Sequence, residues 1–308
     1  MDKKKEKEIF DKVYNFGDYY TVSESEKPDF IIEERDTGIK YGVEITEHYF
    51  SDTSATIRNS KDFAKRIFKQ KEVKSQEHRK HIEFSTFSIV TEDGAEKTFE
   101  GIITKKGEAS LHNLKKIIDE KNSKFNFYNK NLFSTDLIIY DRENFIDPSS
   151  IKVFTNYLVN DMRNIIIDSP FKSIFFITKQ DNDEVYVDFK IQTAYFLVRC
   201  IFCILKNEHQ NYNITPENHI QNVCWLLKSI GLKNISYDNK KLLFNGFVFD
   251  FTDDEWRVIP NNNIIDGSPE YTDIVFDDAI LNELKDALPC IEFDRAMLRS
   301  CNEKIVAI

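Results

Sequence analysis

The sequence predicts an α/β core carrying an appended C-terminal α+β domain, and three observations lead there. Helical periodicities alternate with short apolar runs over residues 1–190, one pair of runs closes around a strong turn, and residues 191–308 show two helical stretches before a separate hairpin pattern. The composition permits such a body, since 308 residues with 41% hydrophobic and 31% charged side chains can bury a substantial core. Nine glycines and seven prolines exclude collagen-like and low-complexity classes.

Each element has a local reason. Residues 3–16 place Ile9, Phe10 and Val13 on one helical face. The runs DFIIEE and IKYGVEITEHY flank Asp36-Thr37-Gly38 and read as a β-hairpin. A polar helical stretch covers about 54–81, and FSTFSIV and TFEGIIT then flank an Asp93-Gly94 turn signal. Residues 110–128 form an amphipathic helix with Ser110 as its N-cap. The strand DLIIY, a helix over about 149–163, and the strand pair FKSIFFIT and EVYVDF complete the first domain. Helices at 192–207 and 217–230, a hairpin at 234–250 and a helical part at about 278–300 make up the second.

Other classes are set aside on simple grounds. MDKKKEKEIF runs into charged helix formers instead of an apolar stretch, and the window Ala194–Leu205 is too short for a bilayer and carries Arg199. The expectation is a cytoplasmic protein without a membrane partner. The odd set Cys200, Cys203, Cys224, Cys290 and Cys301 fits a reducing compartment, and Cys200-x-x-Cys203 reads as two thiols of an apolar helix. No GxxxxGK[ST] or GxGxxG motif is present.

The hairpin sets two carboxylates apart. Asp29 opens its first strand and Glu44 lies in its second, where Gly42, Glu44 and Thr46 share one face and Val43 and Ile45 the other. A carboxylate in so apolar a strand is costly unless it is paired, hydrated or bound to a metal. With the Ile45 carbonyl beside them, Asp29 and Glu44 offer hard oxygen ligands suited to Mg²⁺ or Mn²⁺. Such an ion could activate water and neutralise charge on a phosphodiester. In the bland alternative, Asp29 ends a turn and Glu44 pairs with a structural cation.

Pro28-Asp29, followed by Glu44-Ile45-Thr46 across a hairpin, resembles the PD-(D/E)XK nuclease superfamily. The resemblance implies a restriction-endonuclease-like mixed sheet flanked by helices over 1–190, acting as a metal-dependent endonuclease on DNA. It also implies a homodimer and a role in bacterial defence or restriction, with residues 191–308 contacting target, partner protein or a second copy. Thr46 stands where the family has a lysine and is kept as a catalytic candidate: its hydroxyl can hydrogen-bond but supplies no positive charge. Lys121 lies within the stripe Leu111, Leu114, Ile118 and Phe125 and could take the lysine's place, as migrated lysines do in this superfamily; otherwise it snorkels to the surface. Lys124 is the second choice for that cation, and Tyr128 could orient phosphate. Glu6 shares the inward face of the first helix and could add a ligand, or remain a solvated charge. Glu47 and His48 are expected to be structural. Absence of the lysine also leaves open an inactive nuclease-like binding module.

The net charge of −10 conceals a division. Residues 1–53 carry −6, residues 54–130 carry +6 and residues 131–308 carry −10. Nine of the bases fall within 54–81, which could track a phosphate backbone or pair with the acidic half.

Overall fold

The computed structural model describes residues 1–49, 55–56, 67, 82–90, 96–104, 109–128, 130–142, 158, 161–180, 183–207, 219–229, 235–238, 240–244, 247–250, 257–260 and 299–301. The described chain forms two compact units: Met1–Glu47 with Ile118–Ile308, and His48–Ile117. The boundary expected at residue 190 is crossed by a continuous helix, Phe189–Asn207.

The first unit is built on a mixed seven-stranded sheet in the order β1-β2-β3-β6-β7-β8-β13. Its strands are β1 (Tyr20–Glu24), β2 (Phe30–Glu34), β3 (Lys40–His48, ending at the unit boundary), β6 (Ser134–Asp141), β7 (Ile174–Gln180), β8 (Asp183–Asp188) and β13 (Arg299–Ser300). β6 and β7 run parallel, and β1-β2, β2-β3, β7-β8 and β8-β13 antiparallel. The α/β class and a mixed sheet with flanking helices therefore hold at the general level.

Helix α1 (Lys3–Val13) begins where the Asp2 side chain accepts from the Lys5 N–H. Its inward residues Ile9, Phe10 and Val13 meet Phe30 and Ile32 of β2, Val43 and Ile45 of β3, and Ile138, Phe175 and Tyr186 in one apolar cluster. The Phe10 and Phe30 rings lie 4.8 Å apart. Because Val43 and Ile45 enter this cluster, alternation turns Gly42, Glu44 and Thr46 to the other face of β3.

The β2-β3 hairpin closes as its sequence expects: Phe30 opposes Val43, Glu33 opposes Lys40, and Gly38 takes the left-handed φ of +69°. Gly42 is needed for space. A Cβ there would stand 2.7 Å from Pro28 Cγ and 2.8 Å from both Leu132 Cδ1 and Thr135 Oγ1. Gly42→Ala is expected to cost about 1–3 kcal/mol through overpacking, read as a lower urea midpoint at unchanged m-value.

Helix α2 (Ala109–Lys124) begins in the second unit and ends in the first. The sequence expects it to reach residue 128, but a 3₁₀ turn over Phe125–Phe127 ends it and Tyr128 is extended. Helices α3 (Arg163–Ile167), α4 (Phe189–Asn207) and α5 (His219–Ser229) follow. A four-stranded antiparallel meander comprises β9 (Ile235–Asp238), β10 (Lys241–Phe244), β11 (Phe247–Asp250) and β12 (Arg257–Pro260), exceeding the single hairpin expected. In the second unit β4 (Ile82–Val90) and β5 (Glu96–Thr104) pair antiparallel, with Phe87 opposite Phe99.

Residues 299–300 end a stretch expected to be helical, yet they pair with Tyr186 and Val185 at the sheet edge. There the Cys301 N–H donates to the Glu184 carbonyl at 2.9 Å and its side chain joins the core. Edge pairing and burial outweigh the local helical pattern. The basic stretch 54–81 lies outside the described residues except for 55, 56 and 67, as do most of the helix expected at 149–163, residues 278–298, and the side chains of Arg199, Cys200 and Cys203. Among the described residues no helix is long and apolar enough to cross a membrane.

Candidate functional site

Two elements bring the central pair together. Glu44 projects from β3 on the face away from the α1 cluster, and Lys121 comes from the last turn of α2. Lys121 Nζ donates to Glu44 Oε1 at 2.5 Å. The lysine inside the apolar stripe of α2 is thus half-buried on a carboxylate instead of snorkelling to solvent. Tyr128, buried just after the 3₁₀ turn, brings its hydroxyl beside Glu44 without completing a well-directed hydrogen bond. Glu44 Oε2 is buried and has no hydrogen-bond partner among the described residues.

These surroundings pull the Glu44 carboxyl in opposite directions. Burial is the largest influence and raises its pKa, the Lys121 charge opposes that, and the nearby Asp29 charge adds to it; the net effect is upward. The Tyr128 hydroxyl is likewise pushed up, by burial first and then by the negative charge of Glu44.

Asp29 belongs to a second, adjoining group. Its Oδ2 accepts from the Ile45 N–H at 2.8 Å, and its Oδ1 accepts from Lys3 Nζ at 3.1 Å. Lys3 Nζ also donates to the Ser25 carbonyl at 2.8 Å and ion-pairs with Glu6 Oε2 at 2.9 Å. Partial burial works against the Lys3 charge, but its bonds to Glu6 and Asp29 and their fields outweigh that and raise its pKa. Glu6 is buried on the inward face of α1 and is joined to Asp29 through this ammonium. For Ile45, the group in contact with Asp29 is the N–H.

The remaining residues separate clearly. Thr46 is half-buried two positions beyond Glu44. Lys124 is exposed and points to Glu120 at 4.0 Å, away from Glu44. Glu47 ion-pairs with Lys5 at 2.8 Å and Arg142 at 2.5 Å, a structural role. His48 is fully buried. Sequence reasoning missed Lys3, although its i,i+3 spacing to Glu6 was available as a signal.

Among the described residues no three His, Cys, Asp or Glu side chains gather as a metal-binding group. Two carboxylates with an orphaned oxygen on Glu44 nevertheless suit Mg²⁺, which binds through one or two carboxylates and keeps much of its water. They do not form an all-protein cage. The chain matches no protein-family model, no curated protein and no solved structure.

Proposed function

We propose that the chain is a metal-dependent endonuclease that hydrolyses DNA phosphodiester bonds in the manner of the PD-(D/E)XK superfamily. The observation that supports this reading is the Lys121–Glu44 contact at 2.5 Å: it sets a cation against a carboxylate of a motif whose own lysine position holds Thr46. Asp29 and Glu44 would hold Mg²⁺ or Mn²⁺, with Glu6 and the Ile45 carbonyl as further candidates. The bound ion would supply charge neutralisation and an acidified water. Lys121 opposes the upward effect of burial on the Glu44 carboxyl and offers donors to negative charge developing on a phosphate oxygen. Tyr128, buried at the same carboxylate, limits its movement and can orient a phosphate. The Ile45 N–H fixes the Asp29 carboxylate against β3. Bacterial defence and a homodimer belong to the same reading.

The purified chain should nick supercoiled DNA with Mg²⁺ or Mn²⁺ and stop on chelation. Asp29→Asn should raise the metal concentration for half-maximal cleavage roughly tenfold or more, since the loss of even an outer-shell partner commonly costs about 10–100-fold. Cleavage that survives chelation, or an unchanged metal requirement in Asp29→Asn, rejects the site.

One observation favours a second reading. Lys3 already supplies Asp29 and Glu6 with a cation, as expected of a nuclease-like module that binds without cutting. In that case no metal produces cleavage, and nucleic-acid binding survives Asp29→Asn.

A further inference from the structure

The oxygens around Asp29 already hold a cation, and it belongs to the chain. Lys3 Nζ donates to the Ser25 carbonyl at 2.8 Å and to Asp29 Oδ1 at 3.1 Å, and lies 2.9 Å from Glu6 Oε2. The three oxygens come from separate places: helix α1, the residue after β1 and the residue before β2. Each is also held independently of Lys3. The Ser25 N–H donates to the Asp29 carbonyl at 2.8 Å, Asp29 Oδ2 accepts from the Ile45 N–H, and Glu6 is buried on the inward face of α1.

Two carboxylates and a backbone carbonyl are hard ligands of the kind that Mg²⁺ and Mn²⁺ prefer. An ammonium meets them with one charge at hydrogen-bond distances, whereas Mg²⁺ brings two charges to about 2.1 Å. The two cannot share these oxygens, because like charges a few ångströms apart repel strongly where water is partly excluded. Lys3 is the member with a way out. Its side chain is 34% exposed, against 10% for Glu6 and 13% for Asp29, and its flexible stem lets the ammonium move to solvent. A separate sign of unmet demand for a cation lies alongside: Glu44 feels the Asp29 charge and keeps Oε2 buried without a hydrogen-bond partner.

We infer that Lys3 is a built-in competitor for the metal: it occupies the oxygens of Glu6, Asp29 and Ser25 until a divalent cation displaces it, and so sets the metal concentration at which the centre fills. This rests on the metal-binding half of the proposed function and is independent of cleavage.

Titration of the full chain with Mn²⁺, the free ion being read by its paramagnetic resonance signal, tests this without turnover. Lys3→Met should bind Mn²⁺ about tenfold or more tighter than the parent, and Lys3→Gln, which keeps a donor for the carboxylates, should do the same. Lys3→Arg keeps the charge and should bind like the parent. Lys40→Met removes an equal charge, paired with Glu33 at the turn end of the β2-β3 hairpin, and should shift affinity less than about twofold. Adding Glu6→Gln to Lys3→Met should abolish the gain. Affinity that is unchanged or weaker in both neutral Lys3 variants makes Lys3 a structural pin and overturns the inference. So does a gain equalled by Lys40→Met, or one that survives Glu6→Gln. Tighter Mn²⁺ binding in the Lys3 variants without DNA cleavage under any metal would keep the competitor and remove the nuclease. Metal-dependent cleavage with unchanged Mn²⁺ affinity in those variants would do the reverse.

Discussion

Glu44→Gln is expected to lower metal-dependent cleavage at least about a thousandfold while leaving the fold in place. Glutamine keeps the volume, and its carbonyl can still accept from Lys121 Nζ, now 2.5 Å from Glu44 Oε1. What disappears is the negative charge, and with it a cation's stabilisation of transition-state charge. That stabilisation is worth several kcal/mol, and about 4 kcal/mol corresponds to a thousandfold. Lys121→Met is the complementary change and should lower the rate about 10²–10³-fold, the usual loss for one donor to developing charge. It also carries a pH signature. Burial raises the Glu44 carboxyl and Lys121 holds it down, so removing the lysine raises it further. Since the ionised form is the one that binds a cation, the acidic limb of the pH–rate profile should move to higher pH in Lys121→Met. A fallen rate with an unmoved limb would place Lys121 at the reacting phosphate alone. An unchanged rate and limb would make the pair structural.

Why this pair was legible, and its neighbours were not, follows from the range of the forces involved. Lys121 among Leu114, Ile118 and Phe125 breaks a helical periodicity, a break visible in one segment, whereas Glu44 fits its strand's alternation and stands out through the spacing of Pro28-Asp29 and Glu44-Ile45-Thr46. Lys3 breaks nothing. It is one of five lysines in KKKEKEIFDK, and only the tertiary placement of Asp29 and Ser25 singles it out. Strand β1 buries little, four of its five residues being exposed; beyond Tyr20, which packs on Phe16, it is placed by its pairing with β2, which leaves little hydrophobic trace. The end of α2 was misplaced for a related reason. Phe125 and Tyr128 continue a helical spacing, but packing on Phe171 and at Glu44 favours the tighter turn. Hairpin β2-β3 needed only turn residues and alternation, and it formed; β4 and β5 pair antiparallel, while the Asp93-Gly94 turn signal between them lies outside the described residues.

The largest stability effect expected lies in a polar group that the sequence presents merely as strand ends. Asp136 at the start of β6 accepts from the Tyr14 hydroxyl at 2.6 Å and from the Ser173 N–H at 3.1 Å. Asp188 caps α4 by accepting from the Lys190 and Ile191 N–H groups at 2.8 and 3.3 Å. Lys190 Nζ donates to the Ser169 carbonyl at 2.7 Å. All three charged side chains are buried. Burial pushes the Asp188 carboxyl up to about 6 from 3.8, and pulls the Lys190 ammonium down to about 8 from 10.5 against the attraction of Asp188, Asp136 and Asp168. A raised carboxyl binds its proton more tightly when folded, so the cost of Asp188 appears as pH rises from 3.8 to about 6. A lowered ammonium binds its proton less tightly when folded, so the cost of Lys190 persists up to about 8 and fades toward 10.5. Between about 6 and 8 both are charged and each offsets the other. Lys190→Met removes that offset together with the bond to the Ser169 carbonyl, and should cost about 1.5–3 kcal/mol at pH 7, the range for a hydrogen bond from a charged group. At pH 5 Asp188 is largely protonated in the folded chain, so the loss should be clearly smaller. Urea unfolding of both proteins at the two pH values measures the difference. Equal losses would mean that Lys190 contributes through packing and its bond to Ser169, and that the buried carboxylates do not depend on its charge.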